Sequence, residues 1–393
     1  MNYKVTYGKS VHGKDEIIAV TNVLKSGTQM GKNVHDFEKS ISRLTDKKYT
    51  LMVNSGSSAC LLLSEILNLK KGDEFIIPAV NFPTPIVPFL KKGLIPRIVD
   101  IEKNTLQIDI NKINEKITKK TKLIIIPNLI GNVPRWDLIK KLINKKIIIV
   151  EDSADTLSAK IEKKYSGSYS DFTITSFYGS HVINCAGNGG ALSLNDSKLY
   201  NKAKIIRSWG RLSSLVSNEN KSRFNFKLGN FFYDKKFVFT EMGYNLEPSE
   251  IGAAFGLVQL KKLKRNIKIR VKNFYLHYDF FKKYSNFFIM PEIDPKIYTG
   301  FLAYPLILKE DCSFKRKHLQ IFLEKNKIQT RPIFTGNILS QPAFQYLKKF
   351  NKTKYSNADL ITKNGILLGL HHGLTKHQID YMHNKVKSFL DNI

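Results

Sequence analysis

The run Lys146-Ile147-Ile148-Ile149-Val150 constrains this 393-residue chain more than any other stretch. It is the most strand-like run in the sequence, and it ends in two carboxylates, Glu151 and Asp152. Shorter apolar runs over residues 49–53, 74–78, 97–100 and 123–127 read as companion strands. Between them, residues 61–67, 83–92 and 136–144 read as helices. Strands alternating with helices are the pattern of a parallel sheet covered on both faces, so the chain is α/β. In such sheets the carboxyl ends of the strands carry the chemistry, and Asp152 stands at one of them. The competing reading of Asp152 is a helix N-cap.

Two further stretches carry chemistry. The strand at 49–53 runs into Asn54-Ser55-Gly56-Ser57-Ser58-Ala59 and then into a helix. A strand, a Gly/Ser turn and a helix N-terminus suit an anion, because the first-turn N–H groups and the helix dipole both favour negative charge. Later, an apolar, β-branched segment at 172–175 delivers Ser176, the aromatic pair Phe177-Tyr178, His181 and the run Gly187-Asn188-Gly189-Gly190. Alone, that stretch is an ordinary strand leaving a sheet, and a histidine beside glycines is structural.

Composition removes several classes. No stretch reaches eighteen consecutive apolar residues, so no membrane span is expected. Met1-Asn2-Tyr3-Lys4 does not begin an apolar leader. Three widely spaced cysteines, Cys60, Cys185 and Cys312, fit a reducing compartment and neither a disulfide framework nor a metal site, and the protein reads as cytoplasmic. The net charge of +30 raises nucleic-acid binding. The lysines, however, are strewn along the chain without a basic arm, so no nucleic-acid partner is expected. A hydrophobic content of 42% supports one large and one small core. The expected division is an N-terminal arm over 1–20, a large domain over 21–265 and a small α/β domain over 266–393. A helix from 249 to 263 continues past Arg270 towards the small domain.

Together the three site stretches resemble the cofactor cradle of the StrS/DegT-type sugar aminotransferases. These are pyridoxal-phosphate (PLP) proteins with the PLP-dependent transferase fold of aspartate aminotransferase type I. The resemblance runs from about Lys9 to Tyr381. It implies that Gly56, Ser57 and Ser176 contact the cofactor phosphate, that Phe82 stacks on the pyridine ring, and that Asp152 pairs with the ring nitrogen. Asp155 is included in the cofactor site. Asn245, in Gly243-Tyr244-Asn245, is implied to reach across a homodimer interface to the neighbour's phosphate, so that active sites are shared. Arg331 matches a segment near the substrate and is a candidate for an anionic group. Read from the residues alone, Phe82 is a core phenylalanine before a proline turn, and Arg331 is equally well a surface arginine.

One position departs from most of the family. His181 stands where the Schiff-base lysine belongs. Imidazole cannot form that imine, but it can take and give a proton near neutrality. The resemblance therefore points to the family's histidine branch, the sugar 3-dehydratases, which use pyridoxamine phosphate (PMP) and PLP. One kind bears a [2Fe-2S] cluster. Its cysteine positions hold Ala154, Ser213 and Leu215 here, and thiolate ligation needs about four cysteines, so neither a cluster nor any other metal is expected. The implied function is removal of the C3 hydroxyl from a nucleotide-linked 4-keto-6-deoxyhexose in deoxysugar biosynthesis, as for lipopolysaccharide O-antigen. His181 moves the proton, Asp152 keeps the ring nitrogen charged, and glutamate restores the amine. Val182 stands where the dehydratases often have a second histidine and Asn188 where an acidic residue is common, so nucleotide and sugar stay open. The alternatives are a nucleotide-sugar aminotransferase using Lys160, Lys163 or Lys164, and a catalytically silent cofactor-binding relative.

Overall fold

The computed structural model describes residues 3–215 and 223–393. Met1, Asn2 and residues 216–222 lie outside the described residues. Seven strands form the central sheet: β1 (Tyr49–Val53), β2 (Glu74–Pro78), β3 (Ile95–Val99), β4 (Thr121–Pro127), β5 (Ile148–Asp152), β6 (Phe172–Ser176) and β7 (Gly190–Leu194). Their order across the sheet is β1-β7-β6-β5-β4-β2-β3. The strands β2 to β6 pair in parallel. β7 runs antiparallel to both β6 and β1. Residues 177–189 turn back without a helical crossover, and that kind of connection joins antiparallel neighbours.

Around the sheet lie α1 (Lys14–Ser26), α2 (Lys32–Thr45), α3 (Gly56–Ile66), α4 (Val87–Lys91), α5 (Trp136–Leu142) and α6 (Ser197–Arg207). Successive strand residues enter different cores. Phe75, Ile77, Leu123 and Ile125 pack with Leu62 and Leu63 of α3. Ile76, Ile124, Ile126 and Ile149 pack with Trp136 and Ile139 of α5. Burial on both faces explains why these runs are apolar throughout rather than alternating. Each such side chain contributes roughly 1.5–3 kcal/mol.

The long helix α7 (Glu250–Lys282) starts at Ser249, whose hydroxyl accepts from the Gly252 N–H at 3.1 Å. It runs unbroken through residue 265. Its first half packs on α1 and α2, and its second half places Phe274 and Phe281 in the aromatic core of the small domain with Phe288 and Tyr304. That domain holds an antiparallel sheet of β8 (Phe288–Ile289), β9 (Ala303–Leu308), β10 (Thr330–Arg331) and β11 (Gly365–Gly369), in the order β8-β9-β11-β10. The helices α8 (Arg316–Lys325), α9 (Ser356–Asn364) and α10 (Lys376–Leu390) complete it. At the N-terminus, Val5 bridges Ile328 and the Tyr7 N–H donates to Gln329 Oε1 at 2.9 Å, so this segment lies along the small domain.

Candidate active site

A cavity of about 340 Å³ opens at the carboxyl ends of β4, β5 and β6 and is also lined by Leu302 and Phe334 of the small domain. Its volume falls in the range of ligand pockets. Gly56, Ser57, Phe82, Asp152, Asp155, Ser176 and His181 all line it. Residues spread over 125 positions of sequence thus meet because three strands end at one level.

The anion-binding corner is the N-terminus of α3. Ser55 caps it, accepting from the Ser58 N–H at 3.1 Å, which leaves the N–H groups of Gly56 and Ser57 without an intrahelical partner beside the cavity. Close approach explains the glycines. A Cβ on Gly56 would lie 2.8 Å from Ser176 Cβ, and one on Gly190 would lie 2.3 Å from the Ser55 carbonyl carbon. Gly190 thus lets β7 pass directly under the turn that opens α3.

The two carboxylates ending β5 point to opposite faces. Glu151 is buried behind the sheet and satisfied: its Oε1 accepts from Asn128 Nδ2 at 2.7 Å and its Oε2 from Thr173 Oγ1 at 3.0 Å. Asp152 lines the cavity, and among the described residues its carboxylate accepts only the Ala154 N–H, at 3.1 Å. No helix starts here, so the N-cap reading of Asp152 fails. Burial pushes its carboxyl up to about 7, with the neighbouring Glu151 adding to the rise. Asp155 likewise is raised to about 7, chiefly by burial, although the Ile130 N–H at 2.8 Å partly offsets this. A cavity with two carboxyls held near neutrality is short of a cation.

His181 is fixed by its own loop. Its Nδ1 lies 3.1 Å from the Ser176 carbonyl oxygen. A carbonyl only accepts, so Nδ1 carries the proton and Nε2 keeps its lone pair as a base. Burial lowers the imidazole to about 4; the Ser176 contact opposes this, and the Arg270 guanidinium reinforces it. His181 is therefore neutral at physiological pH. Among the described residues no lysine lines the cavity. Lys160 and Lys164 lie on a short hairpin of Lys160–Ile161 and Lys164–Tyr165, with Lys163 in its turn. The Lys160 ammonium sits 4.5 Å from the Tyr165 ring centroid, so it is engaged outside the site.

Phe82 is 54% exposed and presents its ring to the cavity, edge-on to Phe334 at 6.1 Å, which sets aside a core role. Asn245 and Arg331 do not line the cavity of their own chain. Asn245 is exposed, and its carbonyl accepts from Asn54 Nδ2 at 3.5 Å. Arg331 is exposed, donates to the Thr330 carbonyl at 2.8 Å and lies 5.8 Å from the ring centroid of Tyr7, itself a cavity residue. Three contributors escaped the sequence reading. Tyr7 arrives from the N-terminal segment. Asn81 is fully buried on the cavity wall with its Nδ2 unpartnered. Arg270 reaches the His181 carbonyl from α7 at 3.4 Å. Asn81, one residue before Phe82, was within reach of the motif. The others are isolated residues on remote segments with no local pattern. Of the positions aligned with iron–sulfur cysteines, Ala154 lines the cavity. Among the described residues no three His, Cys, Asp or Glu side chains gather as a metal set.

The family model for the DegT/DnrJ/EryC1/StrS aminotransferases matches residues 11–387. The chain is 34% identical over 384 residues to GDP-4-keto-6-deoxy-D-mannose 3-dehydratase of Escherichia coli O55:H7, covering 95% of this chain and 96% of the relative. The fold superposes with a TM-score of 0.87 and 31% identity on an E. coli GDP-4-keto-6-deoxy-D-mannose-3-dehydratase with bound hydrated PLP, over 98% of this chain and 100% of the other. A second structure of a GDP-4-keto-6-deoxymannose-3-dehydratase, with a trapped PLP-glutamate geminal diamine, gives a TM-score of 0.85 at 31% identity, over 97% and 99% of the two chains.

Proposed function

The chain belongs to the DegT/DnrJ/EryC1/StrS aminotransferase family, and from that premise we propose that it is a PMP/PLP-dependent 3-dehydratase of a nucleotide-linked 4-keto-6-deoxyhexose. The observation that carries the reading is the cavity wall: a histidine with a free Nε2 lone pair and, among the described residues, no lysine. The substrate class follows the similarity to the GDP-4-keto-6-deoxy-D-mannose 3-dehydratases, and a GDP-linked sugar is the first to test. Glutamate is the proposed amino donor, supported by the relative solved with a glutamate adduct.

The residues fit the cofactor on three counts. The uncovered N–H groups of Gly56 and Ser57, with Ser176 across from them, would hold the phosphate, and the glycines keep that corner open. Asp152, buried and without a cationic partner among the described residues, would hold the protonated pyridine nitrogen. The exposed face of Phe82 would cover the ring. Bound there, the cofactor supplies an electron sink for breaking the C3–O bond. Asp152 keeps the ring nitrogen charged through the reaction. Asp155 is a second carboxyl able to carry a proton at neutral pH. His181 Nε2 takes a proton at the reacting carbon and is placed to return it to the departing hydroxyl. Leu302 and Phe334 add apolar surface to the cavity wall.

We further propose a homodimer, with Asn245 serving the neighbour's phosphate and Arg331 an anionic part of the substrate. Exposed apolar side chains support this: Phe231 and Phe232, the latter 72% exposed, in the hairpin of Phe226–Leu228 and Phe231–Tyr233, and, beyond the hairpin, Met242 at 95%. Residues 1–20, 21–265 and 266–393 are retained as arm, large and small domain, with α7 shared by the last two. The three free cysteines support a cytoplasmic setting.

The test is an absorbance spectrum of the protein with pyridoxal phosphate, taken before and after borohydride, and in parallel with glutamate. The dehydratase reading expects no cofactor fixed to the chain and conversion to the pyridoxamine form by glutamate. A cofactor locked onto a lysine would return the protein to the aminotransferases, and no binding at all would make it a silent relative.

A further inference from the structure

Arg270, midway along α7, is fully buried and forms no ion pair among the described residues. An unpaired buried cation is costly and needs an account. Its guanidinium is directed at main-chain oxygens: Nη1 donates to Phe301 O at 3.0 Å and Leu302 O at 3.2 Å, and Nη2 to His181 O at 3.4 Å. Its Nε donates to His372 Nδ1 at 3.3 Å. One planar side chain therefore gathers the loop after β6, the segment entering β9 and the turn after β11. Leu302 is itself a wall of the cavity.

We infer that Arg270 is the positioning residue of His181: its guanidinium holds the His181 carbonyl, and so the imidazole against Ser176. Its unpaired charge adds to the burial that favours the base form of the imidazole. The inference rests on reading His181 as the proton-transferring group. The other ionisable neighbours of the imidazole do not supply an opposing charge. Asp152 and Asp155, at the end of β5, are shifted by burial toward their neutral forms. Tyr178, on the same loop, has its ring 6.0 Å away, and Tyr7, from the N-terminal segment, is held in its neutral form by burial. Burial lowers Arg270 only to about 10, so it stays charged at neutral pH. His372 accepts from it and is therefore neutral, with its proton on Nε2.

The experiment is a pH titration of the full-length protein, labelled with 13C-histidine, with and without pyridoxamine phosphate. The His181 signal is assigned by its loss in His181→Asn. Arg270→Met fills the space without charge, and Arg270→Lys keeps charge without the fork. The titration midpoint of His181 is expected to rise by about half a pH unit in Arg270→Met, since burial remains, and to stay within about 0.2 unit in Arg270→Lys. The glutamate half-reaction is expected to slow by about tenfold or more in both, with cofactor affinity within about threefold. An unmoved midpoint in Arg270→Met, even with activity lost, makes Arg270 merely structural and overturns the inference. If Arg270→Met does not fold, an undiminished rate in Arg270→Lys overturns it. Failure of the dehydratase reading is seen separately, as a borohydride-fixed lysine, because the imidazole midpoint reports on Arg270 whatever the reaction.

Discussion

Replacing His181 by Asn isolates the proposed proton transfer from everything else in the site. The Asn side-chain N–H can take over the contact to the Ser176 carbonyl that Nδ1 now makes at 3.1 Å, so the loop keeps its geometry. What disappears is the Nε2 lone pair. A positioned general base is worth about 10²–10⁴ in rate, or roughly 2.7–5.5 kcal/mol of barrier. The phosphate corner at Gly56 and Ser57 and the carboxyl of Asp152 belong to other strands, so cofactor affinity should stay within about threefold. The assay is single-turnover mixing of the pyridoxal-loaded protein with glutamate, followed by absorbance, beside a cofactor titration. A rate within about tenfold of the unaltered protein would put the base elsewhere. A cofactor affinity lowered by the same factor as the rate would mean that His181 acts through binding. The lowered imidazole pKa adds a sign. With a value of about 4 instead of 6.5, about 99% of His181 is neutral at pH 6, where an ordinary histidine would be about a quarter neutral. Acid should therefore not deplete the free base until well below pH 6.

Asp152→Asn should weaken cofactor binding by about 10- to 100-fold, the loss of a charge-assisted bond, as read by titration. The same change should make the cofactor-free protein more stable above pH 7. The folded carboxyl is raised above its unfolded value, so its contribution is intact in acid and lost as pH rises through about 7, and Asn removes that loss. A melting temperature at pH 8 lower than that of the unaltered protein would contradict this. Gly56→Ala should retain the fold but cost about 1–3 kcal/mol by overpacking against Ser176 and open the phosphate corner, weakening cofactor binding by about tenfold or more. Unchanged affinity would remove Gly56 from the cradle. In the small domain, His277 Nδ1 and His383 Nε2 lie 2.8 Å apart, and burial holds them down to about 3 and about 4. Both are depressed, so their stability is intact above pH 6.5 and lost as pH falls towards 4. His383→Gln should flatten that acid slope in thermal melts, and an unchanged slope would refute the assignment.

Much of the site was legible because its parts are local. A strand, a Gly/Ser turn and a helix N-terminus occupy consecutive residues at 49–66, and their meaning for an anion needs no distant contact. The β5 run, apolar on both faces and ending in Asp152, states in one stretch that it is a central strand with a carboxylate at its functional end. Position relative to such motifs is also sequence information, which is how His181 could be assigned to the lysine's place. Tertiary structure decided what depends on residues far apart in the chain. Only the pairing of β7 between β1 and β6 explains why Gly190 must lack a side chain, since the obstacle is the backbone of Ser55. Only the partners brought up on each face separate Glu151, satisfied behind the sheet by Asn128 and Thr173, from Asp152, left wanting a cation. And nothing in the sequence around Arg270 joins it to His181, 89 positions away; packing of α7 against the loop does so, because the free energy of a contact depends on distance in space and not along the chain.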